Sequence, residues 1–164
     1  MDVFTEQLSK RKLGLIDYII ISFVIFFILL EIAFFNFNIL FLAIILLSLY
    51  IGLKIISSRF VEFEYTVVND NITIDKIINK RNRKEVISFS LSEIEELNKY
   101  SKNVNMDNYD EIYKAYTTDS IWYATFKKNG GKKIIVLFSP NKKTIESIKP
   151  FLKRRILINA FNRD

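Results

Sequence analysis

The sequence offers few residues that could carry out chemistry. It contains no histidine and no cysteine, which removes the commonest general base, the commonest zinc ligand, thiolate metal sites and disulfides. Ser88 and Ser90 therefore have no histidine to activate them as nucleophiles. The run Asn-Gly-Gly-Lys-Lys at 129–133 lacks the spacing and the terminal Ser or Thr of a phosphate-binding loop, and it fits a hairpin turn. We expect a non-enzymatic protein with no cofactor.

Acidic residues provide two further candidate sites. Asp107, Asp110 and Glu111 are close in the sequence and carry the oxygen ligands that hard cations prefer. They lack the glycine and the spaced ligands of a calcium loop, so a solvated loop is favoured and no metal site is predicted. Asp17 and Glu31 lie within a long apolar region, where an ionisable side chain is a candidate functional residue.

The two acids of the apolar region differ in their predicted surroundings. Asp17 lies within a turn of the start of the region, where its carboxylate can stay hydrated. Glu31 lies about one turn from the end of the first apolar run. It either handles protons or ions, or it reaches the interface or pairs with Asn36 or Asn38.

Basic residues are the strongest remaining signal in a chain with a net charge of +6. Each Lys or Arg well placed at an anionic membrane surface contributes ~1 kcal/mol of attraction. The alternative is that these charges only set topology and solubility. Lipid attraction and membrane topology both explain basic groups beside membrane spans, so no nucleic-acid partner is expected. The candidate lipid-facing residues are Lys10, Arg11, Lys12, Lys54, Arg59, Lys80, Arg81, Arg83, Lys84, Lys153, Arg154 and Arg155.

Two apolar runs, about 15–35 and 39–56, must position these residues. Each is ~27–31 Å long as a helix, close to the ~30 Å hydrocarbon core of a bilayer, and neither shows the polar spacing of a helix on a soluble core. We predict a transmembrane helical hairpin over 14–57. All Lys and Arg lie before Leu13 or after Leu53, which predicts cytoplasmic termini and an outer turn at 36–38 in the cell membrane.

Residues 1–13 are predicted to be a polar cytoplasmic segment. The pattern of residues 60–152 predicts a small domain. Apolar residues alternate with polar ones from Val61 to Val67 and resume at Ile72, which indicates a strand hairpin around Asn69–Asn71. Further strands are predicted at 86–91, 112–117, 121–127 and 133–138. A helix over 141–149 begins with Asn141 as its cap and ends at Pro150. Residues 153–164 are a basic and then apolar tail.

This pattern predicts a membrane α-helical hairpin followed by a small α+β, mainly-β domain. The domain is a bent antiparallel sheet or a partly open barrel with one C-terminal helix.

Several segments resemble bacterial pleckstrin-homology-like (PH-like) domains, namely 65–75, the basic turn 80–84, 86–94 and 137–152. Such domains often follow a pair of membrane helices. The whole chain from 1 to 150 is similar to an uncharacterised family of small membrane proteins of low-GC Gram-positive bacteria. This resemblance implies an architecture but no activity.

Eukaryotic relatives of the fold bind phosphoinositides beside their first hairpin turn. Here that turn is Asn69–Asn71, which is acidic and polar, and this departure from the pattern of those relatives disfavours headgroup binding by this route.

The sequence thus predicts a membrane-anchored binding or scaffolding module on the cytoplasmic face. Its partners would be anionic lipids of the inner leaflet or a membrane protein. The alternative is an oligomeric transport or signalling component that uses Glu31.

Overall fold

The computed structural model describes residues 3–34, 39–101, 104–117, 120–128 and 130–161. The predicted turn at 36–38 lies outside the described residues. The elements are β1 (Phe4–Lys10), α1 (Leu15–Ala33), α2 (Ile39–Ser57), β2 (Val61–Val68), β3 (Asn71–Ile78), β4 (Asn82–Ser90), β5 (Glu96–Lys99), β6 (Glu111–Ala115), β7 (Trp122–Lys127), β8 (Lys133–Phe138), α3 (Lys142–Ile148) and α4 (Arg154–Phe161).

The strands form two four-stranded sheets that do not close into one barrel. The first sheet has the order β1-β2-β3-β4 and the second β5-β7-β8-β6. Their facing sides hold a shared core that includes Tyr65, Ile74, Phe89 and Val136. The predicted fold, a bent antiparallel sheet or partly open barrel with a C-terminal helix, is confirmed in its open arrangement.

One strand pair departs from the antiparallel pattern, because β6 runs parallel to β8. The start of β6 is fixed beside the start of β8 by Asp110. Its backbone N–H donates to the Lys133 carbonyl (2.9 Å), and its Oδ2 accepts from the Lys133 N–H (2.8 Å). The polar residues before β6 therefore set its direction.

The start of the chain differs from the prediction, because residues 4–10 form a strand rather than a polar segment outside the domain. β1 pairs with β2 from Phe4–Val68 to Lys10–Glu62. Its inward side chains are polar and bond to other elements. Thr5 Oγ1 lies 2.6 Å from Ser147 Oγ, Gln7 Nε2 donates to the Ser139 carbonyl (3.0 Å), and Ser9 bonds to Thr117. The domain therefore begins at β1, and both long helices lie within the β1–β2 connection.

The end of the chain also differs, because part of the predicted tail is helix α4. The predicted cap of α3 is present, with Asn141 Oδ1 accepting from the Thr144 N–H (2.8 Å). A 3₁₀ turn at Lys149–Phe151 then redirects the chain. In α4, Ile156 is buried in the core, and the ring of Phe161 lies 5.4 Å from that of Trp122. Apolar contacts on one face of α4 make it part of the domain.

Helices α1 and α2 coincide closely with the predicted spans, and each is long and apolar enough to cross a bilayer. Their buried residues are Asp17, Ile45 and Gly52, so most of their apolar surface faces outward. The helices approach closely at Gly52. A Cβ atom there would lie 2.9 Å from Val24 Cγ1, which explains the need for a small residue at this contact.

Candidate functional site

The register of the first sheet brings the ends of both long helices to one edge of the domain. Lys10 lies opposite Glu62, Val61 opposite Ile78, and Ile78 opposite Asn82. We call this edge the hairpin end. The far end carries the β2–β3 turn around Asn69–Asn71.

The turn between β3 and β4 is fastened to the connection between α2 and β2. Asn79 and Lys80 adopt positive φ angles of 51° and 57°, which asparagine tolerates better than most residues. The Asn79 N–H donates to the Phe60 carbonyl (2.9 Å), and its Nδ2 donates to Ser57 Oγ (3.3 Å). Lys80 and Arg81 are exposed beside the end of α2 as a result.

Most of the predicted lipid-facing residues therefore share one end of the domain, although they come from three segments. We call them the hairpin-end cations: Lys10, Arg11, Lys12, Lys54, Arg59, Lys80, Arg81, Arg83 and Lys84.

Some of these cations are engaged within the protein. Lys10 Nζ lies 3.7 Å from Glu62 Oε1, and Arg83 Nη2 lies 2.5 Å from Glu64 Oε2. Lys54 Nζ lies 5.9 Å from the centre of the Tyr50 ring. Four of the hairpin-end cations are exposed and, within the described part of the chain, have neither an ion-pair partner nor a cation–π contact, so they remain able to bind an external anion. They are Lys12, Lys80, Arg81 and Lys84.

Asp17 is buried at the hairpin end rather than hydrated as predicted, since its side chain is only 3% exposed. Its Oδ2 accepts from Arg11 Nη2 (3.0 Å) and from the Gly14 N–H (3.0 Å), and its Oδ1 lies 3.9 Å from Arg59 Nη1. Arg11 precedes α1 and Arg59 follows α2. The carboxylate therefore ties together the two connections between the domain and the helices.

Glu31 accepts a hydrogen bond from Ser48 Oγ across the two helices. Ser48 Oγ also lies 3.0 Å from the Ile45 carbonyl oxygen. Sequence reasoning considered Asn36 and Asn38 as partners, which lie outside the described residues, and it missed Ser48. The only available signal was a hydroxyl in the facing apolar run.

The remaining basic residues, Lys153, Arg154 and Arg155, lie at the start of α4 and away from the hairpin end. Lys153 and Arg155 line a groove with Glu95 and Glu96. The segment 91–94, which leads to Glu95 and Glu96, begins at the far end of the domain, where the Leu91 N–H donates to the Asp70 carbonyl (2.7 Å). The structure therefore separates this basic group from the hairpin-end cations.

Two of the three acids considered for cation binding, Asp110 and Glu111, have protein partners. Asp110 holds Lys133, as described above. Glu111 accepts from Tyr113 Oη (2.8 Å) and Lys132 Nζ (3.3 Å). These two hydrogen bonds, with Tyr113 first, hold the pKa of the Glu111 carboxyl below its usual range.

Because β1 is the first strand, the first strand connection is β1–β2 and not β2–β3. Asn69–Asn71 joins β2 to β3 and lies at the far end, while the first connection is the pair of long helices. Lys10–Lys12 and Arg59 flank that first connection. The premise that Asn69–Asn71 is the first strand connection was therefore wrong, because the count started from the second strand.

Two open sheets with a helix at their C-terminal end, and two bilayer-length helices in the first strand connection, define a PH-like domain on a helical hairpin. The chain belongs to the family described as bacterial PH-like domain (DUF6106), whose model matches residues 1–158. No curated protein matches the chain. No solved structure matches it either.

Proposed function

We propose that the protein is a non-enzymatic binding module anchored in the cell membrane, with its PH-like domain on the cytoplasmic face. In this proposal the hairpin-end cations contact anionic lipid headgroups, and the rest of the domain docks a partner protein. The observation that carries the proposal is the convergence of free cations and both helix ends on one edge of the domain.

Short connections support close contact between the domain and the bilayer. Residues 11–14 join β1 to α1, and residues 58–60 join α2 to β2. Four extended residues span at most ~14 Å. The hairpin end therefore cannot move far from the membrane surface when α1 and α2 cross it, and the β3–β4 turn is held there by Asn79.

The distribution of charge supports the cytoplasmic side. Lys54 lies in the last turn of α2, Arg11 and Lys12 precede α1, and no Lys or Arg lies between Leu13 and Leu53. Positive residues flanking spans favour the cytoplasmic side. They also favour a surface rich in anionic lipids.

Anchoring supports a role in docking. A domain confined to the membrane surface meets other membrane proteins at a raised effective concentration, so a weak contact is enough for binding. The chemistry of the site supports a non-enzymatic role, since the sequence has no histidine or cysteine and the buried acid Asp17 is held by two arginines.

The test compares lipid contact in the full-length protein. The protein is placed in nanodiscs with spin-labelled phosphatidylglycerol or spin-labelled phosphatidylcholine, and the relative binding of the two lipids is measured by electron paramagnetic resonance. We expect a preference for phosphatidylglycerol that falls about threefold or more in the variant Lys80→Gln with Arg81→Gln, and that weakens in 0.5 M salt, a concentration of order three times physiological.

Lys153→Gln with Arg155→Gln is the matched control, because it removes the same number of charges at the start of α4. This control should retain the preference. A preference that is absent in the wild type, or equally reduced by both double variants, would contradict lipid contact at the hairpin end.

A further inference from the structure

A groove lies at the end of the second sheet, beside the first turn of α4. It is lined by the start of β5, the end of β7, the start of β8 and the residues that begin α4. Asn108 and Tyr109, which precede β6, also line it. Its volume is about 780 Å³, within the range of ~300–1,000 Å³ that is typical of small-molecule sites. The space is therefore large enough to hold a small organic molecule.

Strand pairing explains why separate segments meet at this groove. Glu96 lies opposite Thr125 where β5 pairs with β7, and β7 in turn lies beside β8. The Asp110 N–H donates to the Lys133 carbonyl (2.9 Å) at the start of β8, which brings the preceding residue, Tyr109, to the same end of the sheet. Backbone hydrogen bonds thus hold the polar residues of the groove in place.

The groove carries three free cations. Lys133, Lys153 and Arg155 line it and are exposed, and among the residues that the structure describes none of the three has an ion-pair partner. Of the nearby carboxylates, Glu95 is already engaged, since its Oε1 lies 3.1 Å from Lys127 Nζ. A phosphate monoester carries about −1.5 to −2 charges and three strong acceptor oxygens, which suits a group of free cations.

Groups that bind hydroxyls lie beside the cations. Asn108 contributes an amide and Thr125 a hydroxyl, and each can both donate and accept a hydrogen bond. Glu96 Oε1 accepts from Tyr123 Oη (2.5 Å). A carboxylate has about four acceptor positions, so Glu96 can accept from a ligand hydroxyl as well. Acidic side chains hold ribose hydroxyls in this way in dinucleotide-binding folds.

The groove lies away from the hairpin end. Phe126 in its wall stacks on Phe89 with ring centroids 4.6 Å apart, and Phe89 pairs with Ile72 beside the β2–β3 turn at the far end. Strand β2 has 8 residues between the two ends, or ~26 Å at the rise of a strand. Lipid headgroups that contact the hairpin-end cations are about one strand length away, which favours an occupant from solution.

We infer that this groove binds a soluble sugar phosphate, either free or as part of a nucleoside monophosphate. Lys133, Lys153 and Arg155 contact the phosphate, and Arg155 offers the paired N–H groups that match its oxygens. The carboxylate, amide and hydroxyl groups described above bind the sugar. The half-buried ring of Tyr109 offers an apolar face to the sugar or to a base. The inference adds a ligand to the proposed binding module and does not depend on lipid contact.

Isothermal titration calorimetry on full-length protein in nanodiscs tests this site. The ligands are ribose 5-phosphate, glucose 6-phosphate and the common ribonucleoside monophosphates, and the controls are inorganic phosphate, adenosine and citrate. We expect at least one phosphorylated sugar to bind with a Kd below about 1 mM and about tenfold more tightly than each control, because the controls satisfy only one part of the groove. Tighter binding of the free sugar phosphates or of the nucleotides shows which of the two is the source.

Two double variants separate the parts of the groove. The α4 variant, Lys153→Gln with Arg155→Gln, should weaken binding of the tightest ligand about tenfold, because charge-assisted hydrogen bonds to the phosphate are lost. The neutral variant, Asn108→Ala with Thr125→Val, changes no charge. It should also weaken binding about tenfold, because it removes hydrogen bonds to the sugar.

The matched control is the hairpin-end variant, Lys80→Gln with Arg81→Gln. It removes the same number of charges as the α4 variant but at the other end of the domain, and it should bind the ligand as the wild type does. The fluorescence of Trp122, the only tryptophan in the sequence, reports whether each variant is folded.

Failure of every phosphorylated sugar to bind, or binding no tighter than that of inorganic phosphate or citrate, would overturn the inference. An affinity unchanged in the α4 variant, or reduced equally in the hairpin-end variant, would do the same. Full affinity of the neutral variant would show that the groove recognises charge alone and would overturn the sugar site. None of these results would alter the lipid preference assigned to Lys80 and Arg81, so failure of the groove and failure of the lipid contact are distinguishable.

Discussion

Lys10 and Glu62 face each other across the β1–β2 pair, with Nζ and Oε1 3.7 Å apart, although both long helices lie between them in the chain. An antiparallel pair at this point requires the chain to return to the side from which it left. Helices of bilayer length that connect such a pair must therefore cross the membrane as a hairpin or not cross it at all.

Cysteine labelling tests this topology, because the sequence has no native cysteine. We expect Ser101→Cys in the exposed part of the domain to react with a membrane-impermeant maleimide only after cells are permeabilised. Asn36→Cys, between the helices in the sequence, should react in intact cells. Labelling of Ser101→Cys from outside intact cells would contradict a cytoplasmic domain.

The bonds of Asp17 to Arg11 and Arg59 predict that its removal loosens the domain relative to the helices. Asp17→Ala leaves two arginines without their shared acceptor, at a cost of about 1–3 kcal/mol to this joint. Nitroxides on Ser22→Cys in α1 and Ser101→Cys should then show a broader distance distribution in nanodiscs by pulsed electron paramagnetic resonance.

Glu62→Gln is the control for this experiment. It removes the partner of Lys10, whose side chain is 62% exposed, and exposed pairs contribute little. An unchanged distribution in Asp17→Ala would show that Asp17 does not hold the joint.

Sequence reasoning predicted the elements whose signals are local. The apolar runs are continuous, the alternation from Val61 to Val67 buries one face of β2, and Asn141 caps the helix that follows it. Each signal depends on residues within one or two turns or strand repeats, which a single sequence contains in full.

Strand β1 was missed because its alternation is inverted. The apolar residues Phe4 and Leu8 point outward and are exposed, while Thr5 and Ser9 are buried. Polar side chains can face inward here because hydroxyl partners on other elements satisfy them. Those partners, such as Ser147 for Thr5, are far away in the sequence, so no local pattern could reveal the strand.

Helix α4 and the arrangement of the cations depend on long-range geometry as well. The turn at Pro150 redirects the chain so that Ile156 enters the core. In the sequence, the basic run that precedes Ile156 looks like the polar end of a domain. Lys80 lies beside the helix ends because of the strand register. The positions of basic residues along the sequence do not reveal this register.

Tyr65 joins the two sheets and predicts a measurable loss of stability on replacement. Its Oη donates to the Ala115 carbonyl (2.6 Å) and accepts from the Ser139 N–H (3.1 Å), and burial raises its pKa to about 12. Tyr65→Phe leaves two buried backbone groups without this partner and should lower the free energy of unfolding by about 1–3 kcal/mol.

Urea unfolding in detergent, followed by Trp122 fluorescence, measures this loss. Tyr116→Phe is the control, since Tyr116 is 37% exposed and should change stability by less than ~0.5 kcal/mol. Equal stability of the two variants would contradict a role for Tyr65 in joining the sheets.

Glu64 predicts a dependence of stability on pH. Burial, and then a hydrogen bond with Glu6, raise the pKa of the Glu64 carboxyl, while Arg83 opposes the shift. The folded state thus holds the proton at pH values where the unfolded chain has released it. Stability must fall as the pH rises from the ordinary glutamate value through the raised one.

Glu64→Gln cannot titrate and should flatten this part of the profile. The measurement is the free energy of unfolding of wild type and Glu64→Gln across about pH 4–8, a range that begins near the ordinary glutamate pKa and extends above it. Parallel profiles would show that the Glu64 pKa is not raised in the folded protein. A wild-type stability that increases more steeply with pH than that of Glu64→Gln would show a lowered pKa.

The hydrogen bond from Ser48 to Glu31 predicts different effects for its two partners. Ser48→Ala removes the donor and should weaken the packing of α1 on α2 by about 0.5–2 kcal/mol, measured as an earlier midpoint when sodium dodecyl sulfate is added to mixed micelles. Glu31→Gln keeps a carbonyl acceptor for Ser48 and should shift the midpoint less. Ser22→Ala, at an exposed position on α1, is the control.

The same variants distinguish two roles of Glu31, one in packing α1 against α2 and one in transport. A carboxyl that serves helix packing predicts no proton or ion flux through the wild-type protein in liposomes, and no difference between wild type and Glu31→Gln. Flux in the wild type that is lost in Glu31→Gln but kept in Ser48→Ala would assign Glu31 to transport instead, because it would depend on ionisation of the acid and not on the bond between the helices.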